Sequence, residues 1–140
     1  MKPQKQITVI IGAVIKQGKI LMTQRFEPEC PDAHLRWEIP GGKAEFGESA
    51  ADAIKREIYE ETGVRVAVEK LLDFQMSFIW NYADKEQQVL LFCFLCKYLG
   101  QEKVNPDHHV QAIDWIDLGK VKDLDTLPGA NEIVDTLLNH

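Results

Sequence analysis

The segment GKAEFGESAADAIKREIYEETGV, residues 42–64, decides what kind of fold this 140-residue chain adopts. Ser49 stands three positions before Asp52 and ahead of an apolar run, which is the capping-box pattern of a helix start. Gly63 suits the left-handed conformation that commonly follows the last turn of a helix. The segment therefore predicts a helix from about Ala50 to Glu61.

Two acidic side chains of this helix share its core-facing side. With ~100° per residue and Ile54 as the origin, Ala50 and Ile58 define the apolar stripe. Glu57 lies about 60° and Glu61 about 20° from Ile54 on that scale. A buried, unpaired carboxylate is energetically unfavourable, so this pattern indicates carboxylates that are paired or that bind a cation.

The neighbouring charges extend this pattern. Glu60 lies further round the helix, and Arg56 can reach both Asp52 and Glu60 at a spacing of four residues. Oxygen-only clusters suit Mg²⁺ or Mn²⁺, which also bind phosphate oxygens. The spacing favours a metal site with an orienting arginine. The alternative is that the glutamates only decorate a solvated helix end.

The composition is typical of one soluble domain, residues 1–140, with an acidic balance. Sixteen Lys and Arg residues stand against twenty-two Asp and Glu residues, a formal net charge of −6. Because nucleic-acid binding depends on clustered basic residues, we expect no stable nucleic-acid complex. No apolar run reaches the ~18 residues of a membrane span, so we expect no membrane association and a cytoplasmic location. A phosphate-bearing small molecule is compatible with the charge if a cation lies between the two anionic partners.

Hydrophobic patterning predicts strands before and after the helix, in an α/β (α+β) arrangement. The β-branched run Ile7–Ile15 leads through a short polar turn into a second apolar run, as in a hairpin. The tail 129–138 has apolar residues at helical spacing and should close the fold as a helix. Further strands are predicted at Ile20–Thr23, Trp37–Ile39, Val64–Val68, Leu71–Ile79, Val89–Tyr98 and Ala112–Ile116, with polar loops at Phe26–Arg36, Asn81–Gln88 and Gly100–His109.

The three cysteines are predicted to be reduced core residues. Cys30, Cys93 and Cys96 are an odd number without a secretory signal, which argues against a disulfide framework. Cys93 and Cys96 form a C-x-x-C pattern inside a strand. Positions three apart on a strand point to opposite faces, so the two sulfurs cannot hold one metal ion.

Residues 42–64 also match the pattern G-x5-E-x7-R-E-U-x-E-E-x-G-U, with U aliphatic, at every fixed position. This pattern is the Nudix box, and the chain resembles a Nudix hydrolase. The resemblance implies an α/β/α sandwich whose mixed β-sheet carries a loop–helix–loop catalytic motif. It also implies hydrolysis of a nucleoside diphosphate linked to another group, with a carboxylate accepting the proton of the attacking water.

The resemblance assigns roles to the box residues. Glu57, Glu60 and Glu61 would bind Mg²⁺, with Mn²⁺ as an alternative. Glu48 would support the ions through water, and Gly42 would offer its backbone carbonyl. Arg56 would orient the acids.

Three further segments resemble the MutT branch of the family, which cleaves nucleoside triphosphates to monophosphate and pyrophosphate. They are Trp37–Lys43 (WEIPGGK), Thr23–Arg25 (TQR) and Pro128–Glu132 (PGANE). The resemblance implies that Arg25 contacts phosphate and that Asn131 recognises an oxidised purine. Alternatively, Arg25 is an exposed strand end. For Asn131, the alternative is that it caps the last helix, and one residue can cap the helix and also recognise the base.

Other positions depart from that branch or lie in loops. Ile39 replaces an aromatic residue of the branch's base pocket. Counting back from Trp115, His109 replaces a glutamate that serves there as an extra metal ligand, and Asp107 is a nearby acidic substitute. These loop residues are candidates for a base or ligand, or the loop has no catalytic role. Lower-ranked candidates for a base are Asp84 and Glu86.

The leading prediction is a Mg²⁺-dependent nucleoside triphosphate pyrophosphohydrolase that is a monomer or a homodimer. Its substrate would be 8-oxo-dGTP or another non-standard nucleotide. One alternative is a hydrolase of another nucleoside diphosphate derivative, either a dinucleoside polyphosphate or a CTP-type substrate. Tyr82 is the residue that resembles a signature of the dinucleoside polyphosphate hydrolases. Another is a nucleotide-binding sensor that keeps the fold without catalysis.

Overall fold

The computed structural model describes residues 1–106 and 108–139. Along the chain it contains seven strands, two α-helices and a 3-10 helix at Leu118–Asp123. The α-helices are α1, Ala50–Thr62, and α2, Ala130–Leu138. The strands are β1 Gln4–Lys16, β2 Lys19–Arg25, β3 Trp37–Glu38, β4 Gly41–Gly42, β5 Val64–Asn81, β6 Glu86–Gln101 and β7 Val110–Asp117.

The strands form one mixed sheet in the order β3-β2-β1-β6-β5, with β4 paired to β1 and β7 paired to β2. β1 and β6 are parallel over a register that runs from Gln4↔Glu86 to Ile15↔Lys97. The other strand pairs are antiparallel. The left-handed residues Gln17 and Gly18 form the turn between β1 and β2, which matches the twist of a two-residue hairpin.

Each face of the sheet is covered by one helix and has its own buried cluster. Ile54 and Ile58 of α1 pack with Val14 and Leu21 on one face. Ile133 of α2 packs on the other face, in the cluster that also holds Ala13, Ile20 and Met22. The predicted α/β/α sandwich is therefore confirmed.

The cysteines confirm the prediction about the C-x-x-C pattern. Cys93 belongs to the cluster beneath α2 and Cys96 to the cluster beneath α1, so their side chains lie on opposite faces. Both are free, as is Cys30. Burial raises the pKa of each strand thiol to about 12, which keeps both protonated and unreactive near neutral pH.

Two boundary predictions are wrong in the same region. β5 is one continuous strand to Asn81 rather than two, and β6 begins at Glu86, so the predicted loop Asn81–Gln88 shortens to residues 82–85. Register shifts between Val68 and Lys70 and between Leu71 and Gln75 let β5 continue through a polar stretch. The polar start of β6 is held by parallel pairing to β1. Pairing with distant strands thus overrides the local polar signal.

No helix in the described part of the chain is both long enough and apolar enough to cross a membrane.

Candidate active site

Helix α1 is fixed at both ends by the residues that the sequence indicated. The hydroxyl of Ser49 accepts a hydrogen bond from the backbone N–H of Asp52 at 3.1 Å. Gly63 adopts the left-handed conformation, φ 77°, and its N–H donates to the carbonyl of Tyr59 at 2.8 Å. The predicted helix is confirmed, and its apolar residues Ile54 and Ile58 turn toward the sheet.

The two carboxylates nearest the apolar stripe are held close to strand β4. Oε1 of Glu61 accepts a hydrogen bond from the backbone N–H of Gly41 at 3.1 Å. Burial, together with the negative charges of Glu38 and Glu57, raises the pKa of Glu61 well above its ordinary value. Burial likewise raises the pKa of Glu57. The side chain of Glu60 is more exposed, at 57%.

Arg56 binds several carboxylates at once. Nε and Nη2 donate to the two oxygens of Glu48 at 2.7 and 3.0 Å. Nη1 donates to Glu57 at 3.0 Å and to Glu60 at 3.2 Å. The hydrogen bonds from Arg56 and from the Glu45 backbone lower the pKa of Glu48 to about 2. Arg56 therefore orients the acids of α1 and of the preceding loop together.

One predicted partner of Arg56 is wrong. Asp52 was expected to pair with it at four-residue spacing, but the described hydrogen bonds and ion pairs place Glu48 there instead. Asp52 lies in the first turn, where its N–H is capped by Ser49 and its side chain is exposed. Glu48 reaches Arg56 because the loop before α1 folds back, with Glu45 N–H donating to Glu48 at 2.9 Å.

Gly42 brings the backbone of β4 close to the acids. A Cβ atom at Gly42 would lie 2.6 Å from the carboxylate of Glu57, closer than side-chain contacts allow. The β4 backbone is held there by antiparallel pairing to Ile10 and Ile11 of β1. The backbone at Gly42 and the carboxylates of α1 therefore line the same cavity, and a role of the Gly42 carbonyl as a cation ligand stays a prediction.

The donor set at this place fits a hard divalent cation. Glu61 is a half-buried carboxylate beside two other acids, and the excess of negative charge calls for a positive partner. All the candidate ligand atoms are oxygens, as Mg²⁺ prefers. Within the described residues the acids do not already form a ligand cluster of three or more. Glu48 and Glu57 accept hydrogen bonds from Arg56, and each carboxylate keeps further lone pairs with which it could bind a cation.

The acids line one end of a cleft that runs along β1. The cleft consists of two adjoining cavities that share the side chains of Ile7, Val9 and Ile11, and the pair Arg25 and Glu38. The first cavity is largely apolar and has a volume of about 570 Å³, with the solvent at its mouth included. The second, acidic cavity is lined by Glu57, Glu60, Glu61, Gly41, Gly42, Lys43, Glu27, His109 and Val110.

The apolar cavity has an aromatic wall that the sequence reading missed. Phe78, Trp80 and Tyr82 follow each other at alternate positions and line the cavity together. The predicted strand ends at Ile79, so Trp80 lies outside it and Tyr82 falls in the predicted loop. The alternation of Phe78, Trp80 and Tyr82 was the signal that could have extended the strand.

A domain-family comparison agrees with this geometry. The model of the NUDIX domain matches residues 5–137.

The chain belongs to the Nudix family.

Curated relatives support the MutT branch for this Nudix hydrolase, and a solved structure shares its fold. It is 31% identical over 120 residues to the Mycobacterium tuberculosis protein named "Putative 8-oxo-dGTP diphosphatase 2", covering 86% of this chain and 79% of that protein. It is 41% identical over 64 residues to the Escherichia coli CTP pyrophosphohydrolase, 46% of each chain. A MutT Nudix hydrolase of Burkholderia pseudomallei superposes with a TM-score of 0.74 at 22% identity, covering 95% of this chain and 98% of that one. The chain is a pyrophosphohydrolase.

The structure places two predicted substrate residues in the cleft of this Nudix hydrolase. Ile39 lies in the wall of the apolar cavity and is 2% exposed. Arg25 lies at the end of β2, where its guanidinium binds Glu38 at 2.8 and 2.9 Å and Glu27 at 3.1 Å. The alternative of an exposed strand end for Arg25 is wrong, since its side chain is 28% exposed and paired to two acids.

Asn131 lies in the first turn of α2, next in sequence to Ala130. Gly129 is the N-cap residue of α2, so the alternative that Asn131 caps this helix is wrong. Nδ2 of Asn131 donates to the hydroxyl of Thr126 at 3.4 Å. Leu127 and Ala130 of the same turn line the cavity. Base recognition by Asn131 stays a prediction.

The loop residues divide between the two faces of the sheet. His109 lines the acidic cavity, and its carbonyl accepts a hydrogen bond from the N–H of Phe26 at 2.7 Å. Asp107, its proposed acidic substitute, lies outside the described residues. Glu86 lines a different cavity, together with Gln4 and Ile79. Its neighbour Gln87 lines the apolar cavity, so Glu86 faces the other side of the sheet. Asp84 lies in the turn between β5 and β6.

Proposed function

We propose that this Nudix hydrolase is a Mg²⁺-dependent nucleoside triphosphate pyrophosphohydrolase that releases a nucleoside monophosphate and pyrophosphate. One observation carries the proposal: a single cleft joins an apolar, aromatic cavity to the acidic face of α1. The apolar cavity suits a nucleobase, because aromatic side chains stack on bases of any sequence. The acidic end suits the polyphosphate once a cation is bound.

The residues of the box have complementary roles in this proposal. Glu57, Glu60 and Glu61, supported by Glu48 and the carbonyl of Gly42, would hold Mg²⁺ or Mn²⁺. A bound divalent cation supplies positive charge to phosphate oxygens and makes a water molecule a better nucleophile.

The chain's own groups orient these acids and accept the proton. Arg56 fixes the rotamers of Glu48 and Glu57 through the hydrogen bonds described above. Glu57 and Glu61 are candidates to accept the proton of the attacking water, since both side chains line the acidic cavity. His109, on the acidic cavity, is a second candidate for a base or ligand.

We propose 8-oxo-dGTP or another modified purine nucleotide as the leading substrate. The M. tuberculosis relative supports this choice, since the match covers most of both chains. Ile39 and the aromatic wall would contact the base, and Asn131 would recognise it from the adjoining turn. A cytidine triphosphate is the second candidate, favoured by the higher identity of the shorter match to the E. coli enzyme.

The test is a panel of canonical and oxidised nucleoside triphosphates with Mg²⁺, with identification of both products. We expect monophosphate and pyrophosphate in equal amounts, at a rate that depends on the divalent cation. Release of inorganic phosphate from the terminal position, or cation-independent turnover, would contradict the proposal. Preference for CTP over 8-oxo-dGTP would select the second substrate candidate.

A further inference from the structure

The pair Arg25 and Glu38 occupies the junction of the two cavities, since both side chains line each of them. The other side chains shared by the cavities are the apolar Ile7, Val9 and Ile11. A nucleotide has its sugar between its base and its phosphates. If, as proposed above, the base enters the apolar cavity and the phosphates the acidic one, the sugar must lie at this junction.

The geometry of the pair leaves the carboxylate able to accept further hydrogen bonds. Nε and Nη2 of Arg25 donate to Oε2 and Oε1 of Glu38 at 2.8 and 2.9 Å. An ionised carboxylate has about four lone-pair sites, so this bidentate contact occupies two of them. The side chain of Glu38 is 22% exposed, which leaves it accessible from the cleft. Arg25 and Glu38 lie on the paired strands β2 and β3. Thr23 of β2 is opposite Glu38 of β3, and Arg25 lies two residues further along β2.

The charge at the junction disfavours a phosphate there. Arg25 carries one positive charge and is paired with two negative ones, Glu38 and Glu27. Its three guanidinium nitrogens each already donate to a carboxylate. A hydroxyl group, in contrast, donates a hydrogen bond and gains from meeting a carboxylate.

We propose that Glu38 binds a sugar hydroxyl of the nucleotide and that Arg25 is the positioning residue that holds the Glu38 carboxylate in place. This assignment replaces the phosphate contact that sequence resemblance implies for Arg25. This inference rests on the proposed function, from which the orientation of the nucleotide in the cleft is taken.

The test is the binding of GMP, dGMP and ddGMP, and of the matching cytidine set, measured by titration calorimetry without turnover. Hydrogen bonds to charged groups are stronger than neutral ones, so we expect the wild-type protein to bind the dideoxy compound roughly tenfold more weakly than the form with the recognised hydroxyl. A loss between GMP and dGMP assigns the 2′-hydroxyl, and a loss between dGMP and ddGMP the 3′-hydroxyl.

The variants separate recognition from folding. In Glu38→Ala the sugar preference should disappear, and in the near-isosteric Glu38→Gln it should shrink. Arg25→Lys should weaken the same preference, because lysine cannot hold the carboxylate through two parallel hydrogen bonds. Glu27→Gln is the matched control: Glu27 also binds Arg25 but lines the acidic cavity, so the sugar preference should persist.

Two results would overturn the inference: equal affinity of the wild-type protein for all three sugars, or an unchanged preference in both Glu38 variants. Failure to bind any monophosphate of either set would also count against it. The proposed function is judged separately, by pyrophosphate release from triphosphates. A protein that releases pyrophosphate yet ignores the sugar therefore rejects this inference alone.

Discussion

Arg56 and Arg65 both bind carboxylates near helix α1, yet they lie in different electrostatic surroundings. Arg56 is 23% exposed and lies within 4 Å of four acids, Glu45, Glu48, Glu57 and Glu60. Arg65 is 57% exposed, pairs with Glu102 at 2.7 Å and lies over the ring of Tyr59. The cleft cluster thus carries an excess of negative charge, whereas the surface cluster is balanced. We infer that the first is built for a cation and the second only connects chain segments.

The largest difference between the clusters should appear in Glu61→Gln. If, as proposed, Glu61 is a cation ligand and a candidate proton acceptor, this substitution removes both roles, so kcat should fall by roughly 10²–10⁴-fold. Pyrophosphate release with saturating Mg²⁺ measures the effect, and circular dichroism checks that the protein is folded. Glu102→Gln, from the balanced cluster, is the control and should retain turnover. Undiminished activity of Glu61→Gln would reject the site assignment.

A smaller effect is expected from Gly42→Ala. The added Cβ would lie 2.6 Å from the Glu57 carboxylate and displace it. A misplacement of about 1 Å can lower kcat roughly 10²-fold. Gly119→Ala is the matched control, because its Cβ would meet no atom within 4 Å. If both variants turned over substrate equally well, close approach at Gly42 would have no catalytic role.

Arg56→Lys should reduce cation affinity by roughly 10–100-fold, as loss of supporting contacts around a metal site commonly does. Lysine keeps the positive charge but cannot bind Glu48 in two places while also reaching Glu57. The measurement is the Mg²⁺ concentration that gives half-maximal activity. Arg65→Lys is its counterpart on the surface and should leave that concentration unchanged; a similar shift in both would show that the two clusters do not differ.

The smallest effect concerns stability and pH at the surface cluster. Hydrogen bonds from Arg65, and then from Tyr59, lower the pKa of Glu102 in the folded protein. Its contribution to stability is therefore present above the ordinary glutamate pKa and is lost as the pH falls through the lowered folded value. Wild type and Glu102→Gln should differ slightly in thermal midpoint at pH 7 and converge in strong acid. A difference that grew on acidification would contradict this sign.

Helix α1 could be predicted from sequence because its signals are local. Ser49 and Gly63 cap it, and helical periodicity places Glu57 and Glu61 beside the apolar stripe. The fold class followed from the same box together with alternating strands. The partner of Arg56 was less predictable, because Glu48 reaches it only after the loop folds back.

The other half of the cleft could not be predicted because it depends on pairing between distant strands. The aromatic wall exists because β5 continues to Asn81. The pair Arg25 and Glu38 exists because β2 lies beside a strand of only two residues, β3. The segment WEIPGGK contains Glu38 but does not indicate its partner, because the position of Glu38 between two cavities depends on strand pairing.

The register between β1 and β6 has a consequence for how the chain reaches this state. Gln4 pairs with Glu86 and Lys19 with Asp117, so the floor of the cleft is assembled from contacts very distant in sequence. Chains dominated by such contacts fold slowly, in roughly milliseconds to seconds, because the entropy of closing long loops is lost before the contacts form. A nascent chain in which β6 has not yet been synthesised lacks the parallel partner of β1, and with it the surface on which a nucleotide would rest.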